Sequence, residues 1–116
     1  MEKKHVKKFT YDGLGFPVVL IDISLVNVRG IWTPAIDYNK LQKTVLFELS
    51  QKPGPLTGDE IHFIRAYFEM SLEVFGKHLE TTEIAVSNWE KAKNKPGKIS
   101  PEVELCIRLF VILRIE

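Results

Sequence analysis

The chain has 116 residues, 45% hydrophobic and 27% charged, a balance that suits one globular domain or a domain with an appended subdomain. No apolar run reaches the roughly 18 residues of a membrane span, and MEKKHVKKF leads into no apolar signal segment. The single Cys106 excludes an internal disulfide, so a reducing, cytoplasmic setting is expected.

A net charge of +1 decides little, because its distribution says more. Lys3, Lys4, Lys7 and Lys8 form one cluster, which reads as a solvated face. Lys91, Lys93, Lys95 and Lys98 form another, with no acid among them.

In chain order, Gly13 and Gly15 mark a turn, and PVVLIDISLVNVRGIW predicts two short strands at about 17–23 and 25–32. Pro34 ends the second. Asp37 offers an N-cap to an amphipathic helix with Leu41, Val45, Leu46 and Leu49 on its stripe, ending near Gln51. KPGP, residues 52–55, is the strongest linker signal. The expected organisation is a module at 1–54, with two strands and a helix, and a second domain at 55–116.

In that second domain Thr57 and Glu60 form a capping box. The helix they open carries Ile61, Ile64, Tyr67 and Phe68. Ser71 caps a shorter helix with Leu72, Phe75 and Leu79, and Thr82 caps the next, with Ala85, Val86 and Trp89; Trp89 is expected in the core. NKPGK is a loop, and Ser100-Pro101 opens an apolar helix to about Arg114. The two helices capped by Ser71 and Thr82 are so tightly joined that the second is presented as a rigid unit. Helix-turn-helix proteins use such a unit to lay the second helix in the major groove of DNA.

From Ser71 to Pro96, SLEVFGKHLETTEIAVSNWEKAKNKP resembles the phage-repressor and Cro-like (Xre) helix-turn-helix family without a gap. The matching features are the Ser71 start, Phe75 and small Gly76 at the helix crossing, Leu79 before the turn, the Thr82 cap, buried Val86 and the Trp89-Glu90 ending. Upstream, YDGLGFPVVLIDI, IDYNKL and LTGDEIHFIRAYFEMSLEVFG are similar to regulators related to MqsA-type antitoxins. The resemblance implies a mainly α fold with a small N-terminal β element and a phage-repressor-like domain of four to five short helices. It also implies a double-stranded DNA operator, a homodimer and a toxin protein as a further partner.

Three departures stand out. One cysteine cannot build the zinc site of many relatives. Glu80 stands where the turn commonly has Gly, at a cost of about 1 kcal/mol. Leu72 replaces a polar phosphate-contacting residue.

Glu83, Ile84, Ser87 and Asn88 fall on the outer face of the helix that the resemblance assigns to reading. Asn pairs with adenine through two hydrogen bonds, Glu accepts from the cytosine amino group, and Ile touches a thymine methyl. Ser71, Thr81, Thr82, Lys91, Lys93 and Lys95 are candidates for phosphate contact, and Glu90 for anchoring the helix end. His5, His62 and His78 share no ligand spacing, Cys106 is expected buried and inert, and no phosphate-binding glycine loop occurs. Neither a metal, a cofactor nor catalysis is therefore expected.

The last helix has two apolar stripes. Val103, Ile107 and Phe110 suit the core, whereas Leu105, Leu109 and Ile112 suit a dimer interface. The expectation is a dimeric, sequence-specific DNA-binding repressor, with an antitoxin role among its implications. The alternative is a protein-interaction module that no longer reads DNA.

Overall fold

The computed structural model describes residues 2–115, which divide into two compact units, Met1–Gln42 and Lys43–Glu116. In the first, β1 (Lys3–Tyr11), β2 (Val18–Val28) and β3 (Ile31–Pro34) form an antiparallel sheet in the order β1-β2-β3. β1 pairs with β2 from Lys3 opposite Val26 to Tyr11 opposite Val18.

This sheet corrects the expectation of a mainly α fold with a small β element. Of the described residues 46% are helical and 23% lie in strands or bridges, so the β part is a sheet in its own right. β1 falls in the stretch read only as a lysine cluster. β2 runs unbroken where two strands were expected, and the second of those crosses a turn. Arg29 and Gly30, at φ +53° and +84°, close the β2–β3 hairpin with two left-handed residues, whose twist matches that of the strands. The Gly30 amide donates to Asn27 Oδ1 at 2.8 Å.

The break in hydrophobic alternation has a backbone cause. Before Asp22 the even residues Val18 and Leu20 are shielded, and after it the odd residues Ile23 and Leu25. Asp22 sits at φ +50°, off the extended backbone that alternation requires.

α1 (Tyr38–Ser50) starts on Asp37, whose Oδ1 accepts from the Asn39 and Lys40 amides. Its later residues belong to the second unit, with α2 (Gly58–Tyr67), α3 (Leu72–His78), α4 (Glu83–Glu90) and α5 (Pro101–Arg114). The Thr57 capping box is formed: Thr57 Oγ1 accepts from the Glu60 amide, and Glu60 Oε1 accepts from the Thr57 amide. Leu46, Ile61, Ile64, Phe75, Val86, Ile107 and Val111 make the core, and Phe110 sets its ring edge-on to Phe68 and Phe75. Burying each such side chain contributes about 1.5–3 kcal/mol.

KPGP lies inside this unit, so the two units part at Gln42 and Lys43, upstream of the joint expected at residue 54. The cause is Arg108 of α5. Its guanidinium donates to the carbonyls of Leu49 (3.0 Å), Lys52 (2.9 Å) and Gly54 (2.6 Å), and to Glu104 Oε1 (2.7 Å). Two further readings need correcting. Cys106 is exposed, because α5 buries only the narrow stripe of Ile107, Phe110 and Val111, and residue 106 lies one helical step outside it. Trp89 is half-buried rather than enclosed.

Candidate nucleic-acid interface

α3 and α4 are joined by a tight turn over residues 79–82. Gly76 permits the crossing: a Cβ there would lie 3.1 Å from the Thr81 carbonyl oxygen and 3.1 Å from the Thr82 carbonyl carbon. The Thr81 amide donates to the Gly76 carbonyl at 2.8 Å. Glu80 takes φ +55°, the left-handed conformation that a turn of this kind demands.

Each helix has a hydroxyl cap. Ser71 Oγ accepts from the Val74 amide, and Thr82 Oγ1 from the Ala85 amide. Both residues are exposed, and accepting these bonds leaves each hydroxyl proton free to be donated outward. Thr81 is half-buried in the turn.

α4 buries Val86 completely and turns Glu83, Ile84 and Asn88 to solvent, with Ser87 half-buried between Glu83 and Ile84 on the same face. Ile84, 69% exposed, covers none of the core. Below this face the chain exits through exposed Lys91, Lys93 and Lys95. Asn88, Lys91, Lys95 and Lys98 line one depression of about 360 Å³. Ser87, Lys91 and Lys93 line a second, of about 410 Å³, together with Asp59, His62, Arg65, Leu72 and Glu90. Ser87 and Asn88 are thus brought together with the lysine exit, whereas Glu83 and Ile84, like Ser71, Thr81 and Thr82, line neither depression.

Two networks hold α4 in place. Gly58, at the start of α2, packs on the end of α4 so closely that a Cβ would meet the Lys93 nitrogen and the Trp89 oxygen at 2.6 Å. The Gly58 and Asp59 amides donate to the Lys95 and Lys93 carbonyls, which fixes the lysine exit. Arg65 grips the Glu90 carboxylate with Nε and Nη2, and its Nη1 donates to the Met70 carbonyl before α3. His62 Nδ1 lies 2.8 Å from Glu90 Oε1 and 3.2 Å from Arg65 Nη2; with its proton on Nδ1 the ring donates to the carboxylate, which can only accept. Burial alone raises the Glu90 carboxyl, but hydrogen bonds and charge from Arg65 and His62 outweigh it and hold the group below the usual carboxylate range. The hydrogen bond to Glu90 lifts the Arg65 guanidinium above its usual range.

Arg65, His62 and Lys98 lay outside the candidate site read from the sequence. Lys98 was visible in the lysine run, while Arg65 and His62 carried no local signal, because their partner lies on another helix. On α5, Leu105, Leu109 and Ile112 are 55%, 46% and 39% exposed, and Leu113 extends their stripe. Among the described residues no group of three His, Cys, Asp or Glu side chains gathers as a metal site, and no helix is long and apolar enough to cross a membrane. No protein-family model, curated protein or solved structure matches this chain.

Proposed function

We propose that the protein is a sequence-specific DNA-binding regulator that occupies its operator as a homodimer and represses by blocking access to the promoter. The observation that supports this best is the composition of the α4 surface. Asn88, a side chain suited to two hydrogen bonds with adenine, shares a depression with Lys91, Lys95 and Lys98, which suit phosphates. Ile84 and Ser87 extend the face toward the helix start, where the Thr82 hydroxyl has a proton to donate. In this reading α4 enters the major groove, bases are read by Asn88 and its neighbours, and the lysine exit sets register on the backbone. The exposed apolar stripe of α5 supplies the two-fold contact that lets a pair read half-sites about 34 Å apart.

The test is selection of genomic fragments by the full chain at increasing salt. Fragments from particular promoters should be retained at salt that releases random duplex. Equal loss of both would remove sequence-specific reading.

A second reading is favoured by one observation. Residues 43–116 hold ten Lys and Arg against eleven Asp and Glu, a net charge of −1. A protein-interaction module tolerates that balance without difficulty. It would give no salt-dependent DNA retention and would instead hold a protein partner, such as a toxin, on the α5 stripe.

A further inference from the structure

The two units differ in charge. Met1–Gln42 holds six Lys and Arg against four Asp and Glu, a net charge of +2, whereas the unit carrying α4 is at −1. A polyanion approaching α4 meets local lysines and also Glu73, Glu80 and Glu83, so long-range attraction from that unit is weak. The excess of positive charge lies on the sheet, and nearly all of it on one strand.

Lys3, Lys4, Lys7 and Lys8 are all exposed on β1, which among the described residues is an edge strand of the sheet. Among the described residues, none of the four has a carboxylate within ion-pair distance. Lys4 instead lies over the Trp32 ring, 4.2 Å from its centroid. The one acid opposite this stretch, Asp22, sits 3.8 Å from His5 Nε2. Lysines on an edge strand also deter strand-to-strand aggregation. Four lysines within six residues, none of them with a carboxylate partner among the described residues, repel one another.

We infer that β1 is a second, sequence-indifferent seat for the phosphate backbone of duplex DNA. Lys3 and Lys7, like Lys4 and Lys8, are four residues apart, about 14 Å at roughly 3.4 Å per strand residue. One strand of a duplex offers a phosphate about every 3.4 Å along its axis, so lysines this far apart can reach separate phosphates. Lysine ammonium groups engage such charges one by one and release counterions, without reading bases. This assignment rests on the reading of the chain as a DNA-binding protein, and it adds where much of the affinity comes from. Because the two units are linked, a phosphate contact by one raises the effective concentration of DNA at the other.

The experiment uses the full chain with Lys3, Lys4, Lys7 and Lys8 all changed to Gln, and random duplex DNA as the probe. Log affinity against log salt should lose about 0.9 in slope for each lysine engaged, with affinity at low salt down about tenfold or more. The fourfold Lys→Arg variant should keep the wild-type slope. Acetylation footprinting of the wild type, which needs no variant to fold, should show these four lysines protected by random duplex.

An unchanged slope together with no protection would overturn the seat. If Lys95→Ala still flattened the slope and promoter fragments were still preferred, the DNA-reading proposal would survive that result. Loss of promoter preference, with β1 protection intact, would remove the reading and keep the seat. Tighter retention on anionic phospholipid vesicles than on duplex at equal charge would overturn it in favour of a membrane surface.

Discussion

Arg65 meets Glu90 as a fork on a carboxylate: Nε to Oε2 at 2.7 Å and Nη2 to Oε1 at 2.9 Å, with both side chains largely shielded from water. This contact ties α2 to the last turn of α4, where the lysine exit begins. The pair has a signed pH dependence. Since the native carboxyl titrates below its unfolded value, its stabilisation is full above the ordinary carboxylate range and disappears as pH falls through the depressed native value. Arg65→Ala should cost about 2–3 kcal/mol at neutral pH, because it strands a shielded carboxylate. Urea midpoints between neutral and acid pH should show wild type and Glu90→Gln converging as pH drops. A constant gap would mean the carboxylate contributes no charge-dependent stability.

Reading and holding should separate on α4. Asn88→Ala should lose about 1–3 kcal/mol on the preferred site and relax preference at one base pair. Lys95→Ala, in the same depression, should weaken all sequences alike and lower the salt slope by about 1. Titrations of both variants against the preferred site and a scrambled duplex decide the matter. Identical behaviour would cancel the division of roles.

Gly58→Ala should be more damaging than Gly76→Ala. At Gly58 the new methyl would meet three backbone atoms at 2.6–2.7 Å, none of which can swing away, whereas the nearest atoms at Gly76 stand at 3.1–3.2 Å. Overpacking of this sort costs about 1–3 kcal/mol, offset in part by the 0.5–1 kcal/mol or so that Ala gains over Gly in a helix. Denaturant titration should therefore show a clear loss for Gly58→Ala and a smaller one for Gly76→Ala. Equal stability of the two would contradict the close packing of α2 on the end of α4.

Leu109→Glu should convert a dimer to a monomer and collapse affinity for the preferred site while leaving the helical spectrum intact. Leu109 is 46% exposed and holds no core position, so the fold tolerates the charge. Sedimentation should be run in reductant, because Cys106 is also exposed and a disulfide would imitate assembly. Wild-type protein that remains monomeric at tens of micromolar would end the dimer proposal.

What could be read from the sequence was local. Asp37, Thr57 with Glu60, Ser71, Thr82 and Ser100 all cap the helices expected of them, since a cap is decided within three or four residues. Glu80 was recognised as an unusual occupant of a left-handed turn, and it takes that conformation. The sheet was harder. On β1 only Val6, Phe9 and Tyr11 are partly shielded among the lysines, and their spacing of three and then two spoils the alternation that announces a strand. The same slip at Asp22 split β2. Arg65–Glu90 lay beyond local reading because it joins residues on separate helices, and Cys106 because a helix of apolar residues does not declare how narrow its buried stripe will be.

The Arg108 guanidinium has a consequence for engineering this chain. A Pro-Gly-Pro loop between helices is ordinarily where an insertion, a tag or a protease site is placed, since such loops tolerate added length. Here four carbonyls, those of Leu49, Ser50, Lys52 and Gly54, converge on one side chain of α5. Added residues would pull them apart and leave a shielded cation with only Glu104 of its own helix to accept from it, so the segment that looks most permissive is among the least.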